Sequence, residues 1–472
     1  MASFVNRFTG YAIILLVPML LASVVISGPP ASAGGSAIVD RGSASLSAKD
    51  RIDVFDDIWE IVNQKYYDST FNGVNWRAVR ERYRPQVDRV DSDEDFYGLL
   101  KRMVGELHDA HTRFSTPAER RERERLQAVS AGLAIFEVES KPVVVWVEPN
   151  SNAARAGVEE GMVAVAIDGK PVADKLAETR ARVAGSSTDR AVRLRIYRMA
   201  IEGEPGTTLH MTLARADGST VDVALTRRVV PDTPAVTSRR LPSGVGYIRL
   251  TLWKSPIRKD FKRALKQLAD APGIVIDIRG NPGGEAEEVE KIASYFFNSH
   301  VSLGRFFSRS GKAIYLRTSD DEQVYKGPVA ILVNEGSGSG SELFAGVMQE
   351  SGRAIVVGRR SCGCVLGISK YRKLKGGGEL AVSEYGYQSP QGKTFEGTGV
   401  TPNKPVDLTI SDLQHHRDAA LEEAERALKA KGETKTGQTS SILRSPPRPG
   451  YRDDCGRAII AFGKLTRFAI NL

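Results

Sequence analysis

One stretch constrains the fold of this chain more than any other. The apolar run "PVAILV" (328–333) passes directly into "NEGSGSGSEL" (334–343), which opens the helix-like "ELFAGVMQE" (342–350). A Gly/Ser repeat ordinarily reads as solvated spacer. A spacer has no reason to be wedged between a strand and a helix, so the repeat reads as a strand-to-helix turn. The buried-strand run "GIVIDIRG" (273–280) behaves the same way, passing through Asn281-Pro282-Gly283-Gly284 into the helix pattern "EAEEVEKIASYFF". "VGYIRL" leads into the helical "DFKRALKQLAD", and "AIVVG" follows "ELFAGVMQE". Strands that lead in turn into helices predict an α/β layer with parallel strands over about residues 240–410. Such sheets place their sites at strand ends, where both Gly-rich turns fall.

The 472 residues are too many for one ordinary core, so the rest of the chain holds further units. Arg7, then "YAIILLVPMLLASVVISG" and the small-residue Ala31-Ser32-Ala33, read as an export signal within residues 1–33, with an uncleaved membrane anchor as the competing reading. Residues 34–50 are small and polar, as in a linker. Over 51–118, Phe55, Ile58, Val62 and Tyr66 recur at helical spacing, as do Phe96, Leu99, Leu100, Met103 and Leu107; both stripes read as core packing. The charged run "ERRERERLQ" reads as a solvated helix face. Over 126–233 the pattern changes to short strands: "GLAIFEV", "PVVVWVEP", "MVAVAIDG", "VRLRIYR", "LHMTLAR" and "VDVALTRR", with one helix-like insert, "SNAARAGVEEG". The segment 411–472 carries the amphipathic "LQHHRDAALEEAERALKAK" and an unassigned tail.

Composition excludes rather than identifies. A net charge of +9 is spread among acidic residues and not gathered with aromatics, so nucleic acid is not an expected partner. Three cysteines, Cys362, Cys364 and Cys455, do not make a disulfide scaffold. For Cys362 and Cys364, on one strand face, buried thiols, a redox pair and a bond to Cys455 all remain open. His108 and His111 at i, i+3 lack a third ligand, so neither metal nor organic cofactor is expected.

The two turns supply chemistry of one kind. Backbone N–H groups at Asn281-Pro282-Gly283-Gly284 are suited to an oxyanion, although Gly and Pro favour such a turn anyway. Ser337, Ser339 and Ser341 lie among small neighbours that let a substrate backbone approach.

Taken together, "GYIRL", "DIRGNPGG", "NEGSGSGSELFAG", "RAIVVG" and "FEGTGVTPN" resemble the C-terminal processing peptidases, or tail-specific proteases, and their tricorn-type relatives. The resemblance runs over roughly residues 50–425 and implies a helical region, a PDZ-like β domain and an α/β core of the ClpP/crotonase-like type. Gly132, Leu133, Ala134 and Ile135 match a PDZ carboxylate-binding loop, and 149–157 match the segment after it; Gly161-Met162 departs from the usual Gly-Asp. PDZ domains take a peptide C-terminus as an added strand. The implied partners are therefore proteins or peptides with free C-termini, outside the cytosol, with membrane association only through the N-terminus.

By the same resemblance Ser339 is the nucleophile, and Gly340, Gly283 and Gly284 form the oxyanion hole. Many members place a lysine base 25 positions after the serine; here that position is Cys364, and the glutamine that often follows is Ile368. Lys370, six residues on from Cys364, is about 20 Å away along an extended strand, too far for a base that must approach within about 3 Å. Tricorn-type relatives instead pair the serine with a histidine and a carboxylate. "ELHDAHTRF" places His111, and "TFEGTGVTPN" places Glu396, where those are expected. Imidazole then takes the serine proton while the carboxylate fixes its tautomer. The expectation is an exported serine endopeptidase; the rival, prompted by the missing lysine, is an inactive peptide-binding scaffold.

Overall fold

The computed structural model describes residues 45–125, 128–230, 234–319 and 324–437. The segment read as an export signal, most of the segment read as a linker and the tail carrying Cys455 lie outside the described residues. Among the described residues no helix is long and apolar enough to cross a membrane.

Three helices, Ala48–Lys65, Trp76–Val87 and Asp93–Gly105, build the N-terminal region. Each begins where a short polar side chain accepts a backbone N–H: Ser47 from Asp50, Asn75 from Ala78 and Ser92 from Asp95. The stripes Phe55, Ile58, Val62 and Phe96, Leu99, Leu100, Met103 face one another and bury together with Phe114, Leu380 and Val382. Burying each such side chain stabilises the fold by about 1.5–3 kcal/mol. The cluster crosses a sequence gap of more than two hundred residues, so the helices are fastened to the core. The strand Arg113–Ser115 completes the join by pairing antiparallel with Glu379–Ala381. The charged helix Pro117–Arg125 is not merely solvated, since Arg123 pairs with the buried Glu379 at 2.5 Å.

The second unit is an antiparallel sheet in the order Leu133–Val138, Lys141–Val147, Val163–Ile167, Thr208–Ala214, Thr220–Thr226. The run "VRLRIYR" is not one of its strands. It belongs to a helix, Asp189–Ile201, capped by the Thr188 hydroxyl. The apparent alternation of Val192, Leu194 and Ile196 misleads because the residues that bury are Val192, Ile196, Tyr197 and Ala200, which is helical spacing. A second helix, Val172–Arg182, was likewise not expected. The helix Asp189–Ile201 packs beside Leu133–Val138, with the Tyr197 and Phe136 rings 5.5 Å apart. Leu133–Val138 lies at the sheet edge.

The core carries the expected parallel sheet, in the order Val236–Arg240, Gly246–Leu250, Ile274–Asp277, Val329–Val333, Ala354–Gly358, Lys404–Pro405. Only the first pair is antiparallel. The two central strands are buried along their whole length, as expected of a sheet covered on both faces. At the end of one of them, buried Asp277 is held by Arg249 at 2.7 Å, Arg279 at 2.7 Å and the Tyr247 hydroxyl at 2.6 Å. The next strand end leads into the helix Gly340–Glu350.

Candidate active site

The three serines of the opening repeat have different fates. The Ser337 hydroxyl donates to the Ile278 carbonyl at 2.8 Å and accepts the Asn334 N–H at 3.0 Å. The Ser341 hydroxyl donates to the Asn281 carbonyl at 2.9 Å and accepts the Trp253 indole N–H at 2.9 Å. These two staple the serine turn to the Asn-Pro-Gly-Gly turn. Ser339, between them, is half-buried and takes φ +50° and ψ −115°. A non-glycine residue there costs about 1–3 kcal/mol and persists only when its surroundings enforce it. The enforcing bonds are the Ser339 N–H to the Cys364 carbonyl at 2.9 Å and to the Glu342 carboxylate at 3.1 Å.

Gly283 and Gly284 press directly against this turn. A Cβ on Gly283 would stand 2.6 Å from the Ser339 Cβ, and one on Gly284 would stand 2.1 Å from the Trp253 carbonyl. Both also have positive φ, so no other residue fits either position. The expected use of the Gly283 N–H needs correction, because it already donates to the Asn281 side chain at 3.0 Å. The N–H groups of Gly284 and Gly340 donate to no acceptor among the described residues.

Glu342 was not singled out in the sequence, although Ser339-x-x-Glu342 has the spacing of a capping box. Its buried carboxylate accepts from the Ser361 hydroxyl at 2.5 Å, Gly363 N–H at 2.7 Å and Cys364 N–H at 2.9 Å, besides Ser339. Burial pushes it up to about 7 against those four donors. Cys362 and Cys364 are joined in a disulfide. The residue at the usual lysine position is therefore half of a cystine, with neither an amine nor a thiolate to offer. Lys370 is exposed.

His111 follows a loop fixed by Asp109, whose Oδ1 accepts from the N–H groups of His111 at 2.8 Å and Thr112 at 2.6 Å and from the Ser383 hydroxyl at 2.8 Å. Neighbouring Ala110 packs on Cys362 and Cys364. The His111 ring is fully enclosed, and neither nitrogen has a hydrogen-bond partner in this conformation. Burial lowers its pKa to about 4, with Asp109 opposing and Arg113 assisting, so the ring is neutral at pH 7. Glu396 accepts the Val365 N–H at 2.6 Å and is bonded to the Ser187 side chain. Ser187 in turn accepts the Ala110 N–H at 2.9 Å. Burial, with Asp109 and Glu342 nearby, raises Glu396 to about 8 despite those two bonds. The three expected residues thus approach one turn, 362–365, through its backbone, its side chains and their immediate neighbours, but no hydrogen bond joins the three side chains.

These pKa values set an expectation for stability. Glu342 and Glu396 both lie above the ordinary 4.5, so the folded chain holds more protons than the unfolded chain up to about pH 8. Their contribution is complete below 4.5 and is lost as pH rises through 7 and 8. His111 acts oppositely, but only below its ordinary 6.5. Between pH 6.5 and 8.5 the urea midpoint should fall, and Glu396→Gln should flatten that fall; an equally steep fall in the variant would contradict the assignment.

A cavity of about 1670 Å³ lies between the helical region, the PDZ-like sheet and the core. It reaches Gly280, Pro282 and Gly336, on the two turns that flank Ser339, and runs past Leu133, Ala134 and Ile135 at the sheet edge. Ser339 itself does not line it.

Comparison with known proteins gives the same three units in the same order. Residues 47–105 match the tricorn protease C1 domain, 143–198 the PDZ domain and 244–406 peptidase family S41. Carboxyl-terminal-processing peptidase 3, chloroplastic, of Arabidopsis thaliana is 28% identical over 365 residues, covering 73% of this chain and 67% of the relative. The carboxyl-terminal-processing protease of a Synechocystis species is 28% identical over 372 residues, covering 75% of this chain and 80% of the relative. Among solved structures, the photosystem II D1 C-terminal processing protease superposes with a TM-score of 0.54 at 25% identity, over 76% of this chain and 93% of that one. Mature CPAF reaches a TM-score of 0.63 at 14% identity over 84% and 99%, a likeness of fold alone. With the helical region, the PDZ domain and the α/β core each matched in place, the chain carries a peptidase family S41 domain over residues 244–406 and is a serine peptidase similar to the carboxyl-terminal-processing peptidases.

Proposed function

We propose that this peptidase is exported, takes the C-terminal tail of a protein substrate as an added strand on Leu133–Val138, and cleaves the chain through an acyl-enzyme on Ser339. The observation that carries the reading is the singular state of Ser339. Of the three serines it alone has a hydroxyl that donates to no other group among the described residues, its one contact being the capping box with Glu342, and it occupies a strained turn beside two unpaired N–H groups. Attack by Ser339 Oγ on the scissile carbonyl puts negative charge on its oxygen. The N–H groups of Gly340 and Gly284 are the donors for that charge, and Gly283 supplies the close wall. Two such donors are worth more here than in water because the site is enclosed. The proton from Ser339 passes to His111, and Glu396 stabilises the imidazolium. Proton transfer requires His111 to come within hydrogen-bond distance of Ser339, so productive binding includes closure of the 109–112 loop onto the serine turn.

On the substrate side, an edge strand with a helix alongside suits β-augmentation. Leu133, Ala134 and Ile135 open that strand, and Gly132, immediately before it, has φ +86°. The Gly132 N–H already donates to the Ser130 hydroxyl at 2.9 Å, so the terminal carboxylate is assigned to the N–H groups that follow it. The scaffold reading rested on the missing lysine and loses that support if His111 is the base.

A fluorophosphonate probe tests the proposal. It is expected to label the native chain on the peptide containing Ser339 and to leave Ser339→Ala unlabelled. If the native chain stays unlabelled while a control serine protease reacts, or if the label lands elsewhere, the assignment of the nucleophile fails.

A further inference from the structure

The cavity beside the edge strand contains an arginine that the proposed reaction does not use. Arg195, on the helix Asp189–Ile201, lines the cavity and has neither an ion pair nor a hydrogen bond among the described residues. Its neighbours in the same wall are engaged. Arg198 pairs with Glu202 at 2.7 Å, Arg227 donates to the Ile201 carbonyl at 3.0 Å, Arg123 pairs with Glu379 at 2.5 Å, and Arg113 donates to the Tyr371 hydroxyl at 2.9 Å. Burial and then the positive charges of Arg113 and Arg198 pull Arg195 down to about 10, against weaker help from Glu119 and Glu202. An enclosed guanidinium among like charges lacks the anion that would complete it.

We propose that Arg195 is a specificity-determining residue that receives an acidic side chain of the substrate tail, about three residues before its C-terminus. This rests on the reading of Leu133–Val138 as the strand that receives the tail. The position follows from the fold. The C-terminal end of the helix is tied through the Ile201 carbonyl to Arg227, and the adjoining Arg228 pairs with Ser130 at the head of the edge strand. The terminal carboxylate belongs at that end. Arg195 lies six residues back from Ile201, about 9 Å at 1.5 Å per residue. An extended peptide covers that distance in roughly three residues. The Tyr197 ring against Phe136, three residues past Leu133, agrees with this register. Arginine suits the role because its planar fork meets a carboxylate with two parallel hydrogen bonds.

The test uses the full chain carrying Ser339→Ala, so that binding is read without turnover. The probes are fluorescein-labelled ten-residue Ala/Ser peptides ending in leucine, with Glu, Gln or Lys at the second, third or fourth position from the end. Each is made with a free and with an amidated C-terminus. Glu at one of these positions is expected to tighten Kd about tenfold over Gln, as one charge-assisted pair implies. The preference should vanish in Arg195→Gln and turn to favour Lys over Gln in Arg195→Glu. Equal affinity for Glu and Gln peptides at all three positions overturns the proposal without recourse to a variant, as does a preference that survives Arg195→Gln. If amidation makes no difference, the strand-addition reading itself fails; if amidation abolishes binding but Glu gains nothing, only the role of Arg195 falls.

Discussion

Ser339→Ala is expected to abolish peptide hydrolysis, with kcat falling on the order of 10⁵–10⁶-fold, while the thermal midpoint stays within a few degrees of the parent. Its hydroxyl donates to no other group, unlike those of its two neighbours. Ser337 and Ser341 each hold the two turns together with a donated and an accepted bond, so alanine at either position loosens the fold. The Ser339 hydroxyl takes part only in the capping box with Glu342, so its removal costs at most a helix cap, about 1 kcal/mol, and is felt mainly in chemistry. The backbone carries a second consequence. At φ +50° and ψ −115° alanine keeps the strain that serine pays, whereas glycine does not. Ser339→Gly should therefore melt above Ser339→Ala, the glycine's greater freedom when unfolded offsetting only part of the gain. Retained hydrolysis in either variant would remove Ser339 from the mechanism. A large fall in stability for Ser339→Ala would make it a third staple instead.

Much of this site was legible in the sequence because it is written as local exceptions. Gly and Ser wedged between a buried strand and a helix make sense only if the turn must be small, and Gly283 shows why, with no room for a Cβ against Ser339. The parallel sheet was legible for a similar reason, since unbroken apolar runs bounded by turns occur where both faces are covered. What escaped was decided by tertiary partners. "VRLRIYR" alternates like a strand, and only packing on the edge strand shows that every third or fourth residue is the one buried. Glu342 had a capping spacing, but its other partners, Ser361, Gly363 and Cys364, come from about twenty residues further on. Cys362 and Cys364 left several pairings open, and the fold resolves them by turning the chain back on itself at Gly363. Ser187 gave no signal, since its significance lies in joining Ala110 to Glu396 across three units.

The base is the sharper test, because here stability and activity should part company. His111 is enclosed with both ring nitrogens unpartnered, an arrangement that costs about 1–3 kcal/mol in lost solvation. A side chain kept for packing alone would not be polar there. His111→Leu should therefore be at least as resistant to urea as the parent, while kcat falls on the order of 10⁴–10⁶-fold. The pH profile carries the same claim. With His111 lowered to about 4 the imidazole is already free of its proton at neutral pH, so protonation of His111 itself costs no rate until well below pH 6. Glu396, raised to about 8, must give up its proton before it can stabilise the imidazolium, so kcat/KM should climb as pH rises through 8. Glu396→Gln should erase that climb and lower the rate on the order of 10³–10⁴-fold, as loss of the orienting acid does elsewhere. If His111→Leu turns over like the parent, the histidine is packing and the serine is activated by another group. If Glu396→Gln keeps the alkaline climb, the titrating group is Glu342, whose ionisation strengthens the grip on the Ser339 N–H and so acts on the nucleophile's position rather than on its proton.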